Sequence, residues 1–197
     1  MNVTQAISPT RAPVPEPGQY WTGQGGIYAG VLPGNTEHGA QHLVFSTDEG
    51  VELNWGRATE EPIGASSAFN GAQNTETLLK TPERHPAAKW AHDYEKDGHH
   101  DFHLPSRQEW DVAAATIPSQ FSDNAWYWSS TEYSMSDAYG ENFAGLENEW
   151  FSKGFRGNVR AARTIPAPEH DVAQPVLPAQ AAHAESVSCT PAAARFA

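Results

Sequence analysis

The tightest constraint on this chain is the run Leu104-Pro105-Ser106-Arg107-Gln108-Glu109. Pro105 holds the residue before it in an extended conformation and cannot sit inside a helix. Ser106 with Glu109 three positions later is a capping box, in which each side chain satisfies a free amide of the other residue. Trp110, Ala113, Ala114 and Ile117 then recur at helical spacing, and Pro118 closes the run. A strand must therefore end and a helix begin within about two residues, and the apolar stripe of that helix needs a sheet to cover it. On the other side of the cap, Phe102 and Leu104 alternate with polar residues in a short extended run.

A second helix is expected from about His85 to Lys96, with Pro86 in its first turn and Ala87, Trp90, Ala91 and Tyr94 along one stripe. Strands are expected at Trp21 to Gly30, at His42 to Ser46 and at Val51 to Trp55, with Asp48-Glu49-Gly50 as a hairpin turn between the last two. The last third reads as Trp126 to Thr131, Tyr139 to Phe143, Glu149 to Lys153 and Asn158 to Arg163, with Gly145, Gly154 and Gly157 as turns. Consecutive strands joined by short loops imply an antiparallel meander, and two helices ahead of it make an α+β domain.

This pattern occupies residues 18–165. The flanks, 1–17 and 166–197, are rich in Pro, Ser, Thr and Ala and lack apolar periodicity, so they read as arms. The single cysteine, Cys189, falls in the second arm, which excludes an intrachain disulfide and a cysteine-based zinc site. A net charge of -12 opposes nucleic acid and anionic lipid. No stretch reaches transmembrane length, and the first residues lack the apolar core of a secretory signal.

The segment from Asp97-Gly98 through Asp101-Phe102, Leu104-Pro105-Ser106 and Glu109-Trp110 resembles the DG-x-x-D-W-x-LPS-x-x-E signature of a bacterial and phage family that includes the C-terminal domains of collagen-like adhesins. Trp128-Ser129-Ser130-Thr131-Glu132 and Val159-Arg160-Ala161-Ala162-Arg163 resemble its two later hallmarks, in the same order, and Trp21 to Gly30, Asn70-Gly71 and Asn74-Thr75 resemble its first half. The resemblance implies a C-type-lectin-like fold: two helices packed on a twisted antiparallel sheet with long loops. The fold is also distantly similar to that of formylglycine-generating enzymes. Those work through active-site cysteines, which the body of this chain lacks.

Within such a body Ser106 and Glu109 cap the helix. Trp126 and Trp128, on one strand face, are expected to pack beneath it through Trp110, while Arg160 and Arg163 are expected to meet carboxylates, with Asp101 and Glu109 as partners. The densest set of metal-ligand types is His99, His100 and His103 with Asp97 and Asp101, which a loop could present to zinc or nickel. Glu141, Asn142, Glu147, Asn148 and Glu149 are oxygen donors of the kind calcium prefers. The Glu-Pro-Asn and Trp-Asn-Asp patterns of sugar-chelating lectins are missing, so calcium-dependent sugar chelation is unsupported; calcium is the candidate cofactor at this loop, and none is expected.

Tyr133, Tyr139, Trp150, Phe151 and Phe155 are interleaved with short polar residues, a composition suited to rigid amphipathic contacts. The resemblance places the ligand-facing surface here. The expected ligand residues are Tyr133, Tyr139, Glu141, Asn142, Glu147, Asn148, Trp150 and Phe151. No nucleophile elbow, phosphate loop or HExxH helix is present, and the expected function is non-catalytic.

These features describe an adhesive or receptor-binding module at the surface of a phage virion (tail fibre, spike or head decoration) or of a cell, within an oligomeric assembly. The arms would hold it to other subunits, and the body would meet a host-surface glycan or protein, with no nucleic acid partner and no membrane insertion. A purely structural decoration protein is the alternative reading, and a lectin-fold enzyme the third.

Overall fold

Both ends of the body meet in one sheet. In the computed structural model, which describes residues 13–35, 38–58, 61–144 and 147–168, β1 (Tyr20–Trp21) and β2 (Gly26–Leu32) form a hairpin. Gly23 and Gly25 take the positive φ that its turn requires. Next to β2 lies β3 (Gln41–Phe45), and the last strand, β9 (Ala162–Pro166), pairs antiparallel with β3. Most of both arms, Cys189 and the side chains of Glu147 and Asn148 lie outside the described residues.

The second sheet has the order β4-β8-β5-β6-β7, formed by Gly50–Asn54, Arg156–Val159, Trp126–Glu132, Asp137–Asn142 and Glu147–Ser152. The meander expected from sequence is β5-β6-β7, antiparallel throughout, whereas β5 and β8 run parallel at Tyr127 and Asn158. With helices between the strands, the protein is α+β.

Two expected connections differ. Residues 48–50 do not turn a hairpin, because β3 and β4 belong to different sheets. The single strand expected over Asn158 to Arg163 divides at Arg160-Ala161 into β8 and β9, again in different sheets. The two crossings are tied to each other. Ser46 donates its backbone N–H to Ala161 O at 2.8 Å and accepts Ala161 N–H on its hydroxyl at 2.9 Å, and Arg160 Nε donates to Ser46 O at 2.7 Å. A backbone that leaves a sheet in the interior must satisfy its polar groups, and each crossing satisfies the other.

Among the described residues three α-helices pack on these sheets. The first, α1 (Gly71–Leu78), was not among the expected elements; the Asn70 side chain accepts the Gln73 amide as its cap, and Gly71, Asn74, Thr75 and Leu78 form its buried stripe. Gly71 is required there, since a Cβ would come within 2.8 Å of Leu104 O. The second, α2 (Pro86–His92), stops at Asp93, short of the expected Lys96. The third, α3 (Arg107–Thr116), carries the Ser106–Glu109 capping box as expected. No described helix is long and apolar enough to cross a membrane.

The core divides at β5. Trp110, Phe45, Phe121, Tyr127 and Phe143 pack on the α3 side, and Trp55, Leu78, Ala91, Phe102, Leu104 and Trp128 on the other. Strand alternation does put Trp126 and Trp128 on one face, but that face points away from Trp110. The ring beneath Trp110 is Tyr127, at 5.5 Å between centroids, and Trp128 meets Trp110 only through its carbonyl, which accepts the indole N–H at 3.2 Å. Arg163 pairs with Asp101 as expected. Arg160 pairs instead with Glu49 at 3.3 Å, because Glu109 is committed to the cap and to His103 at 2.8 Å.

Candidate functional site

The sheet face that continues beyond α3 toward β7 exposes aromatic rings. Tyr139 of β6 stands directly opposite Trp150 of β7, so both side chains leave the same face. Tyr133, just past the end of β5, lies parallel to Trp150 at 4.7 Å with 19° between planes and meets Tyr139 edge-on at 5.2 Å. The Arg107 guanidinium, from the first turn of α3, sits 5.1 Å from the centre of the Tyr139 ring. Tyr133 is 47% and Trp150 55% exposed, values unusual for rings this large.

The loop under Tyr133 is held from below. Lys153, fully buried, donates from Nζ to Glu132 at 2.7 Å and to Met135 O at 3.0 Å, and lies 4.9 Å from the centre of the Trp55 ring. Glu132 also accepts the amides of Ile63 and Gly64. Above this pair, Tyr133 and Ser134 both donate their amides to Asp137 O, while Ser134 and Ser136 donate their hydroxyls to the Asp137 carboxylate. A charged pair inside the sheet thus presets an outer aromatic surface, and a ligand meeting it has little ordering left to do.

Not every expected ligand residue belongs to this surface. Phe151 lies on the opposite face, stacked on Trp126 at 4.3 Å, and packs half-buried against the core. Glu141 is wholly buried, with no hydrogen-bond partner for either oxygen among the described residues; burial, reinforced by Asp111 on α3, pushes its carboxyl up to about 7. Asn142 folds back to accept the Ala144 amide at 2.8 Å. The side chains of Glu147 and Asn148 lie outside the described residues. Phe155 is exposed in the turn after β7, apart from the stack. Arg107 was missed: in sequence it is an unremarked position inside the capping box, and only the docking of α3 on β6 aims it at Tyr139.

The three histidines do not converge. His99 Nε2 contacts Gly23 O at 2.9 Å, His100 faces Glu95 at 3.0 Å in solvent, and His103 is buried against Glu109. Asp97 receives the Tyr20 hydroxyl and the amides of Gly23 and Gly25, which hold its carboxyl below the usual range and lock the β1–β2 turn. Among the described residues, no three His, Cys, Asp or Glu side chains are grouped so as to hold a metal.

No protein-family model matches the chain, and no curated protein matches its sequence. Among solved structures the chain is similar to a fimbrial protein from Bacteroides ovatus, with a TM-score of 0.48 and 14% identity over 61% of this chain. The matched part spans 35% of the length of that protein.

Proposed function

We propose that the protein is a non-catalytic binding module with a C-type-lectin-like fold, displayed at a surface, and that the stack of Tyr133, Tyr139 and Trp150 with Arg107 is its ligand face. The observation that carries this reading is a pair of stacked, half-exposed rings set on a rigid sheet edge. Such rings give contact area at low entropic cost and are the type of residue that dominates binding energy. A host-surface glycan, through sugar C–H faces, or a protein loop suits a flat aromatic surface with one cation at its margin. The lectin-like assignment is supported by the three ordered motifs, and display on a phage particle or a cell by the Pro- and Ala-rich sequence of the two arms.

A non-catalytic role is supported by where the perturbed carboxyl lies. Glu141 has its proton held to about 7 but is closed off between α3 and the sheet, and it lines neither the cleft around Arg84 nor the one around Trp90. The test is a glycan-array and cell-binding assay on the full chain beside its Tyr133→Ala/Trp150→Ala variant. Both residues are exposed, so the melting temperature should stay near wild type, while binding should weaken by about tenfold or more. Unchanged binding by the folded variant would remove this face from consideration.

A further inference from the structure

A concave region, separate from the flat aromatic face, lies where the chain leaves β4. Asn54 to Ala58, the 3-10 turn Pro82–Arg84 with His85, and Gly154 after β7 enclose a cleft of about 760 Å³, a volume within the usual range for a small-molecule site. The charge of its described lining is opposite in sign to that of the whole chain. Lys89, Lys96, Lys153, Arg160 and Arg163 each face a carboxylate of this chain. Arg57 and Arg84, both exposed, face none among the described residues; the same holds for Lys80, Arg107 and Arg156, but Arg57 and Arg84 share one cleft. Glu83 is the acidic residue of the described lining, so two guanidinium groups and one carboxylate leave a local charge of one positive unit in a chain whose net charge is -12.

The buried wall adds a complementary group. His85 is 3% exposed, and its Nδ1 lies 3.0 Å from Trp55 O. A carbonyl can only accept, so Nδ1 carries the proton and Nε2 is left as an acceptor. Burial holds the ring neutral by lowering its pKa. The close fit between Gly56 and His85, where a Cβ would sit 2.8 Å from Nδ1, keeps the imidazole in place. Guanidinium forks recognise planar carboxylates through paired N–H donors, and a neutral imidazole nitrogen accepts from a hydroxyl.

We infer that this cleft binds a small hydroxylated monocarboxylate of the uronic-acid class, with Arg57 and Arg84 on the carboxylate and His85 Nε2 accepting a hydroxyl. The site is independent of the aromatic face, and the test separates the two. The full chain is titrated with glucuronate, glucose and inorganic phosphate at low salt, by calorimetry or ligand-detected NMR. Glucuronate should bind with a Kd of about 1 mM or tighter, and glucose and phosphate about tenfold more weakly or worse. The Arg57→Gln/Arg84→Gln variant should lose at least about tenfold of the glucuronate affinity, while Trp150→Ala should leave it unchanged. Should the double variant lose its near-UV signal, Arg84→Lys serves instead: it keeps the charge, loses the planar fork and should still weaken binding. Glucuronate bound no better than glucose, phosphate bound as well as glucuronate, or full binding by a folded arginine variant would each overturn the assignment.

Discussion

Replacing Glu141 should change how stability depends on pH more than it changes stability at any single pH. The side chain is fully buried on β6, both carboxylate oxygens lack hydrogen-bond donors among the described residues, and the charged group facing it across the interface is Asp111. Burial first, and Asp111 second, raise its pKa from 4.5 to about 7. In the unfolded chain it titrates near the ordinary value. Below 4.5 both states hold the proton and the group costs nothing through ionisation. Between 4.5 and about 7 the unfolded chain releases its proton while the folded chain keeps it, so stability falls as pH rises. Above 7 the loss is complete, at about 1.4 kcal/mol per pH unit across the gap, or roughly 3 kcal/mol in all. Glu141→Gln keeps the shape and removes the titration, but its amide stays unpaired at a pH-independent cost of about 1–3 kcal/mol. The variant should therefore equal or trail wild type near pH 4 and match or overtake it near pH 8, with a swing of roughly 3 kcal/mol between them. Urea denaturation of both proteins at intervals across that range measures the swing directly. Parallel stability curves, or a carbon-detected titration of Glu141 centred near 4.5, would show that the carboxyl is solvated and that the packing of α3 on β6 described above is wrong.

Two further predictions concern the interior. Trp110→Ala removes the ring that joins Phe45, Phe121 and Tyr127, and should cost about 3–5 kcal/mol through the cavity it leaves; a melting temperature close to wild type would refute the core on the α3 side. Lys153→Ala strands the Glu132 carboxylate beneath the Tyr133 loop and should cost about 3–5 kcal/mol, most of it recovered in Lys153→Met/Glu132→Gln. If the single variant matched wild type in chemical denaturation, the pair would not be the anchor of that loop.

Local signals were readable where one short stretch carries its own physics. The capping box at Ser106–Glu109, the strand at Trp126 and the turn at Gly154 each follow from residues within a few positions of one another, whereas Gly157, expected to mark a turn, lies inside β8 opposite Leu53. Helix α1 was readable too, since Asn70 caps it and Gly71, Asn74, Thr75 and Leu78 follow at helical spacing, but its polar composition hides the stripe from a search for apolar residues. The aromatic face was half readable. Tyr133, Tyr139 and Trp150 stood out by composition, whereas the opposite orientation of Phe151 depends on register, and a shift of one residue exchanges the two faces of a strand.

What the sequence determined alone is the local vocabulary: an α+β chain with a capped helix before a meander, a charge of -12, and a single cysteine at position 189. Tertiary structure decided which sheet each strand joins, where the chain crosses between sheets at Ser46 and Ala161, and which side of β5 faces Trp110. It also brought Arg107 to Tyr139 and gathered Arg57, Arg84 and His85 around one cleft. The division has a physical cause. Caps, turns and periodicity are set by neighbours along the chain, whereas sheet order and site assembly depend on contacts between residues many positions apart, whose energies exist only once the whole body has closed.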